Sequence, residues 1–320
     1  CLVGSEMCIR DRAMVNYPEY NLNDPFTDGT MEEMNRIWRN TIINDTYEPG
    51  STFKVITATA ALDSGSVTLN NHYSCSGRIH VADRFVRCAN ARGHGAQTFA
   101  QSLQNSCNPA FITWGLMTGK DNMVKYMESL GLYSKTGVDL PGEAGSIIHK
   151  TENIKELDLA IMSFGQSFQI TPLQLLRAVS AVVNGGKLVT PHFGVKKIDT
   201  EGNISVLEYE ESGTIIKQST TETMRGLLKN VVELGGGLNC KIEGYSIAGK
   251  TATSEKLPRG NGKYIASFIG IAPAENPQVI AMCIIDEPVG MHYGGVIAAP
   301  VVKSLFENIL PYLGIEKGQM

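Results

Sequence analysis

One stretch of the chain, residues 51–62, limits the possible folds more than any other. It is rich in alanine and runs without glycine or proline until Gly65, which favours a single uninterrupted helix. Because apolar residues recur throughout the stretch, the helix is expected to be buried. A buried helix needs other elements packed around it, and a chain of 320 residues is long enough to supply a sizeable core.

Helical patterns fill the middle of the chain, and strand patterns dominate its end. Helices are expected at 97–105, 108–117, 121–130, 172–183, 219–234 and 300–310. Strands are expected at 244–248, 264–271 and 278–285, with hairpins over 73–90 and 193–209. Residues 13–48 are polar and are expected to be irregular, apart from a short strand at their start. Helices followed by antiparallel strands and a closing helix predict an α+β fold.

Two of the expected helices begin with recognisable capping signals. Thr171 is followed by Pro172 and then by Gln174, which is the pattern of an N-cap, a first-turn proline and a capping box. Ser219 is followed three residues later by Glu222, and this pair also fits a capping box. Both helices are therefore expected to begin at these residues.

Composition excludes several classes of protein. The chain has 320 residues with a formal net charge of −4, and no basic stripe of the kind that binds nucleic acid. No run of 18 apolar residues is present, so no segment of this chain is expected to span a membrane. Residues 1–12 resemble translated sequencing-adapter read-through and are interpreted as an artefact. Residues 13–320 are then the domain, and an N-terminal anchor and non-catalytic region are expected to be missing from the chain.

The first candidate chemical motif is Ser51-Thr-Phe-Lys54. On a helix, residues three apart share a face, so the lysine amine can reach the serine hydroxyl. Serine is a weak nucleophile without a base, and a lysine whose pKa is lowered can be that base. Taken alone, the pair is also consistent with an ordinary helix cap beside a solvated lysine.

The second candidate is Ser106-Cys107-Asn108, which lies at a break between two expected helices. Such a loop can present a hydroxyl as a proton relay and an amide as a donor to a substrate carbonyl. The alternative is that Asn108 simply caps the helix after Pro109.

The third candidate is Lys250-Thr251-Ala252-Thr253, next to an expected strand. A lysine and hydroxyls on an edge strand can bind a substrate carboxylate, and the free backbone groups of the strand can pair with an extended peptide. The alternative is an exposed, charged edge strand that prevents aggregation.

Taken in order, the three motifs resemble those of penicillin-binding proteins and serine β-lactamases. The surrounding sequence is similar to class B penicillin-binding proteins, the division and sporulation transpeptidases. The similar stretches are Tyr47–Lys54, Ala89–Phe99, Ser163–Gln166, Ile170–Gln174 and Tyr293–Val301. The resemblance implies an antiparallel sheet flanked by helices plus an all-helical subdomain. It also implies a peptidoglycan D,D-transpeptidase that β-lactams inhibit covalently.

The resemblance implies a role for each motif residue. Ser51 attacks a D-Ala-D-Ala stem peptide, Lys54 accepts the serine proton, and Ser106 passes a proton to the leaving D-alanine. Asn108 binds the peptide backbone.

The strand residues complete the implied site. Lys250 and Thr251 bind the terminal carboxylate, and the N–H groups of Ser51 and Thr253 form an oxyanion hole. Ala252 departs from the family's usual glycine, which puts substrate fit and β-lactam affinity in doubt. The implied chemistry needs no metal or cofactor.

The cysteines raise a separate hypothesis. Cys75 and Cys88 lie in the expected hairpin and are predicted to form either a disulfide or two buried free thiols. Cys107 is interpreted as a small packing residue. Because the sequence contains no C-x-x-C pair, a structural zinc site is not expected.

Two other functions compete with the transpeptidase. One is a β-lactamase or carboxypeptidase, in which water resolves the acyl-enzyme; the other is a wall-assembly scaffold or β-lactam sensor without turnover. The expected partners are donor and acceptor stem peptides, β-lactams, and membrane proteins of division or sporulation. The expected location is the extracytoplasmic face of the bacterial cytoplasmic membrane.

Overall fold

The computed structural model describes residues 2–5, 10–26 and 29–318, and residues 2–5 and 10–12 by their backbone alone. The α-helices of this part are α1 (Met31–Trp38), α2 (Thr41–Asn44), α3 (Lys54–Asp63), α4 (Phe99–Gln104), α5 (Asn108–Thr118), α6 (Lys120–Ser129), α7 (Glu156–Met162), α8 (Pro172–Val183), α9 (Gln218–Leu234), α10 (Gly294–Ile297) and α11 (Ala299–Tyr312). Short 3-10 helices span Gly50–Phe53, Thr151–Asn153 and Leu238–Cys240.

The strands are mostly short, apart from three long ones near the end of the chain. They are β1 (Leu2–Ser5), β2 (Arg10–Met14), β3 (His72–Cys75), β4 (Arg78–Val81), β5 (Arg84–Arg87), β6 (Gly95–Thr98), β7 (Lys187–Val189), β8 (Lys196–Ile198), β9 (Ile204–Val206), β10 (Glu211–Thr214), β11 (Ala248–Glu255), β12 (Tyr264–Ala272) and β13 (Val279–Asp286). No helix in the described ranges combines the length and apolar character that crossing a membrane requires.

A five-stranded antiparallel sheet separates two helical layers. Its strand order is β11-β12-β13-β1-β2, so β11 lies at one edge. Side chains alternate between the faces of a strand, and the sheet uses both faces. Ile269 and Ile271 of β12 belong to the core shared with the helices, whereas Phe268 packs on the other face with Val302 and Phe306 of α11. This arrangement confirms the expected α+β fold.

Helix α3 is buried, as predicted, and lies at the centre of the helical layer. Residues 55–61 are fully buried, and the helix packs against α5, α6, α8 and α9. Because α3 is surrounded by protein, the residues at its N-terminus sit deep in the molecule. The same end of α3 follows the 3-10 turn that contacts β11, so the helical layer and the sheet edge meet there.

The structure corrects several sequence predictions. Residues 13–48 are not irregular, since they contain α1 and α2, and α1 begins with a capping box of Thr30 and Glu33. Helix α9 begins at Gln218 with Lys217 as its N-cap and no side-chain cap, so the predicted capping box at Ser219 is wrong. The predicted strand at 244–248 is displaced, because β11 starts only at Ala248.

The first residues of the chain pair with the sheet. The backbone of β1 pairs antiparallel with β13 and β2, while residues 1 and 6–9 lie outside the described residues. This pairing does not bear on the origin of residues 1–12, and their interpretation as an artefact stays a prediction.

Candidate active site

Ser51 lies in a tight turn that enters helix α3. Gly50 has a left-handed φ of +56° and donates its N–H to the carbonyl oxygen of Gly165 at 2.8 Å. The 3-10 turn that follows places half-buried Ser51 one turn before Lys54, on the same side of the helix. The geometry therefore brings the two residues of the first motif to the N-terminal end of α3.

The backbone of the Ser51 turn approaches residue 165 so closely that this position requires glycine. Its φ is +86°, and a Cβ at this position would lie 2.1 Å from the carbonyl oxygen of Gly50. Alanine at position 165 would carry the penalty of a left-handed φ and would also clash with the backbone of Gly50. We therefore expect Gly165→Ala to lower the free energy of unfolding by about 1–3 kcal/mol beyond the left-handed penalty, because the Gly50 backbone must move. Urea unfolding, followed by circular dichroism, measures this loss.

Gly260 provides the matched control. Its φ is +85°, but a Cβ there would meet no atom within 4 Å. Gly260→Ala should therefore show only the left-handed penalty of about 1 kcal/mol. Equal losses of unfolding free energy in the two variants would contradict the steric argument.

The loop of residues 106–108 is strained where it enters the site. Ser106 has a φ of +52°, which is uncommon for a residue with a side chain. The N–H groups of Ser106 and Cys107 bond to carbonyl oxygens of α4, and Asn108 opens α5. Strain of this kind is typical of functional sites, and here it turns the Ser106 and Asn108 side chains toward Lys54.

The amine of Lys54 binds this loop. Its Nζ lies 2.6 Å from the carbonyl oxygen of Ser106, 2.7 Å from Oδ1 of Asn108 and 3.2 Å from Oγ of Ser106. In the described part of the chain, Lys54 bonds to this loop and not to Ser51. Catalytic hydrogen bonds often tighten only when substrate binds, so this geometry is compatible with the predicted role of Lys54 as a base.

Lys250 reaches the same hydroxyl from the sheet. Its Nζ lies 3.0 Å from Oγ of Ser106 and 2.9 Å from the carbonyl oxygen of Thr251. Two amines from different layers thus converge on one serine oxygen. The predicted convergence of the three motifs in one place is therefore a feature of the fold, and the hydroxyl of Ser106 is positioned to move a proton between the two amines.

Both amines are withdrawn from water. Lys54 and Lys250 are 0% and 1% exposed, respectively. Burial lowers the pKa of Lys54 to about 7, although the sulfurs of Cys107 and Cys88 act in the opposite direction. Burial, and next the charge of Lys54, hold the pKa of Lys250 well below its usual value. A neutral lysine can accept a proton, so Lys54 can act as a base near neutral pH.

Strand β11 presents alternate residues to opposite sides. Lys250 and Ala252 are buried, and the Cβ of Ala252 lies 3.7 Å from the position that a Cβ on Gly50 would occupy. Thr251 and Thr253 are half-buried on the other side, where Oγ1 of Thr253 accepts the N–H of Gly294 at 3.1 Å. The methyl of Ala252 therefore packs against the Ser51 turn and not beside the two threonine hydroxyls.

An ion pair close in sequence to Ser51 was not anticipated from the sequence. Arg259, in the turn after β11, pairs with Glu48, which also accepts the N–H of Ser167 at 2.9 Å. The Glu48 side chain is only 10% exposed. This pair ties the sheet edge to the segment that precedes Ser51. Glu48 lies within the Tyr47–Lys54 motif, but nothing in the sequence identifies Arg259 as its partner.

The two hairpin cysteines are not joined. Cys75 and Cys88 are buried free thiols, the second of the two predicted alternatives. They also do not face each other across a hairpin, because Cys75 on β3 pairs with Gly95 of β6, whereas β4 pairs with β5 before Cys88. Cys107 is buried close to both.

The sequence and the fold are similar to those of known proteins. The family "Penicillin binding protein transpeptidase domain" matches residues 11–307. Stage V sporulation protein D of Bacillus subtilis (strain 168) is 39% identical over 285 residues, which are 87% of this chain and 44% of that relative. The probable peptidoglycan D,D-transpeptidase PenA of Neisseria flavescens is 32% identical over 313 residues, covering 95% of this chain and 72% of PenA.

Further similar proteins include a second transpeptidase and a solved transpeptidase domain. Peptidoglycan D,D-transpeptidase FtsI of Escherichia coli (strain K12) is 29% identical over 309 residues, covering 95% of this chain and 50% of FtsI. The chain thus spans about half the length of the sporulation protein and of FtsI. The apo TP domain of Burkholderia pseudomallei penicillin-binding protein 3 superposes with a TM-score of 0.83 at 26% identity, covering 100% of this chain and 89% of that one.

Proposed function

This chain belongs to the penicillin-binding protein transpeptidase family, in the class B group, and from that premise we propose that it cross-links peptidoglycan through an acyl-enzyme on Ser51. One observation carries the proposal. The buried amines of Lys54 and Lys250 converge on the hydroxyl of Ser106. A hydroxyl between two amines of lowered pKa can relay a proton, which acyl transfer requires twice.

The proposed reaction begins at the N-terminal end of α3. Ser51 gives its proton to neutral Lys54 while Oγ attacks the carbonyl carbon of the penultimate D-alanine. The N–H groups of Ser51 and Thr253 are the proposed donors to the oxyanion, each worth about 3 kcal/mol in comparable enzymes. The amide bond breaks, and the proton reaches the leaving D-alanine amine through Ser106. An acceptor amine then attacks the ester and restores Ser51.

The sheet edge is the proposed binding surface for the donor peptide. Strand β11 has a neighbouring strand on one side only among the described residues, so an extended peptide can pair with its other side. The hydroxyls of Thr251 and Thr253 are proposed to bind the terminal carboxylate, and the buried amine of Lys250, on the opposite side of β11, is proposed to hold Thr251 and Ser106 in place. The Asn108 amide, which donates to the carbonyl oxygen of Arg87 at 3.4 Å, is proposed to bind the peptide backbone with its remaining N–H.

The lifetime of the acyl-enzyme tests this function against its rivals. The protein is incubated with a fluorescent penicillin, freed of excess reagent, and followed for hours by gel fluorescence. We expect a stable label, because the acyl-enzyme of a transpeptidase persists until an acceptor amine attacks it. Loss of label within minutes indicates a β-lactamase or carboxypeptidase, and no label at all indicates a scaffold without acylation.

The pH dependence of acylation follows from Lys54. Only the neutral amine can accept the serine proton, and its pKa is about 7. We expect the acylation rate constant to rise about tenfold per pH unit below that value and to level off above it. Stopped-flow measurement with a chromogenic cephalosporin gives the profile, whose midpoint belongs to the coupled lysine pair. A rate that still rises tenfold per unit at about pH 9 would contradict a lowered pKa.

The location and the wider partners stay predictions. We propose that the domain acts on the extracytoplasmic face of the cytoplasmic membrane, because the peptidoglycan that it is proposed to cross-link lies outside that membrane. Binding to division or sporulation membrane proteins is proposed to involve regions outside this chain.

A further inference from the structure

Four side chains beside the site form a cluster that acyl transfer does not use. They are Cys75 at the end of β3, Cys88 after β5, His94 before β6, and Cys107 at the N-cap of α5. Their possible ligand atoms all lie within 4.8 Å of one another. The three cysteines are buried and His94 is half-buried.

The spacing of these atoms suits a tetrahedral ion. Zinc–sulfur bonds of about 2.3 Å and zinc–nitrogen bonds of about 2.0 Å place the ligand atoms of a tetrahedron about 3.5–3.8 Å apart. Sγ of Cys88 and Nδ1 of His94 are 3.5 Å apart, and the remaining pairs need to close by no more than about 1.3 Å. Three cysteines and one histidine form one of the usual ligand sets of structural zinc.

The turn after β3 positions the sulfur of Cys75 so that it can act as a metal ligand. The N–H of Gly77 donates to Sγ of Cys75 at 3.5 Å. Gly93 packs so closely that a Cβ on it would lie 2.2 Å from the carbonyl oxygen of Cys75. Hydrogen bonds to ligand atoms orient them and stabilise the thiolate that a metal requires.

The other two sulfurs receive similar support. Backbone N–H groups of Asn90 and Asn108 interact with the sulfur of Cys88, and that of Ala110 interacts with Cys107 at the start of α5. Each of the three sulfurs therefore interacts with at least one backbone N–H group. Such surroundings favour a closed structural site with four protein ligands, without an open position for substrate.

We propose that Cys75, Cys88, His94 and Cys107 bind one Zn²⁺ ion. Binding displaces the thiol protons to solvent and leaves three thiolates and a neutral imidazole around the metal. Because Cys107 lies between Ser106 and Asn108, the ion ties the strained catalytic loop to strands β3–β6. The ligands come from three segments, namely the end of β3, the connection between β5 and β6, and the N-cap of α5, without a C-x-x-C pair, which is why the sequence argued against zinc.

Metal analysis of the purified protein tests the proposal. We expect about one zinc per chain by plasma mass spectrometry, and at least roughly 100-fold weaker zinc binding in Cys75→Ser and His94→Asn, measured by chelator competition. Cys240→Ser is the matched control, because Cys240 is equally buried but lies outside the cluster. Co²⁺ added to chelator-stripped native protein should give thiolate charge-transfer bands and tetrahedral d–d bands, and this readout needs no variant to fold.

Three results would overturn the site. One is native protein that takes up neither zinc nor Co²⁺ while its thiols are free. Another is a disulfide between two of the three cysteines in non-reducing peptide maps. The third is equal zinc affinity in Cys75→Ser and Cys240→Ser. Ser51→Ala should keep its zinc, so failure of the metal site and failure of the proposed acyl transfer can be told apart.

Discussion

Ser51→Ala is expected to abolish covalent labelling by penicillin. Without the hydroxyl no ester can form, and loss of the nucleophile in a comparable serine enzyme costs roughly 10⁶-fold in rate. The fold should persist, because the half-buried Ser51 side chain makes no hydrogen bond within the described residues, whereas the backbone of its turn is held by Gly50 and Gly165. The measurement is gel fluorescence after incubation with labelled penicillin, with circular dichroism to verify folding.

Ser219→Ala is the matched control for this variant. Ser219 is an exposed serine in the first turn of α9, so the same change removes a hydroxyl away from the three motifs. It should label at the native rate. A Ser51→Ala protein that still formed a stable adduct at a measurable rate would place the nucleophile elsewhere and remove the basis of the proposed mechanism.

Lys54→Met is expected to slow acylation by about 10²–10⁴-fold, the usual contribution of a general base. Methionine fills a similar buried volume but can neither accept the serine proton nor bond to the 106–108 loop. The two short contacts of Lys54, to Ser106 and Asn108, would be lost together. The measurement is the second-order rate constant with a chromogenic cephalosporin. The remaining rate should lose its dependence on pH near 7, because the titrating amine is gone.

The control for this prediction is a lysine on the surface. Within the described residues, the one ion pair of Lys303 on α11 is a long 3.9 Å contact with Glu307, and its side chain is 38% exposed. Lys303→Met should acylate at the native rate. If Lys54→Met lost less than about tenfold, or kept the native pH profile, another group would have to be the base.

Elements with local signals were predicted well from the sequence. Helix α8 begins at Pro172 with Thr171 and Gln174 forming the expected capping box, because the bonds involved lie within four residues. Local apolar patterns likewise placed β12 and β13 to within one residue of their observed bounds. The capping-box prediction was wrong for α9, where Lys217 takes the N-cap position. It also missed α1, although Thr30 and Glu33 carry the signal that was used elsewhere.

Within the candidate site, the sequence predicted which motifs meet but not how they meet. It paired Lys54 with Ser51, whereas the structure bonds Lys54 to Ser106 and Asn108. The methyl of Ala252 packs toward Gly50, next to Ser51, and its expected place among the substrate-binding residues stays a prediction. The difference at Lys54 arises because spacing along a helix fixes a face, while the partner on that face belongs to another element.

The sequence by itself determined the kind of fold and the residue types of its proposed chemistry, because helix caps, period and motif order are local properties of the chain. Only the tertiary structure decided the protonation and the grouping of those residues. The pKa of Lys54 is low because α3 is enclosed on all sides, and Cys75, Cys88, His94 and Cys107 meet because a strand end, one loop and a helix start fold onto one another. Burial and contact between distant segments are properties of the packed chain, which residue spacing alone does not specify.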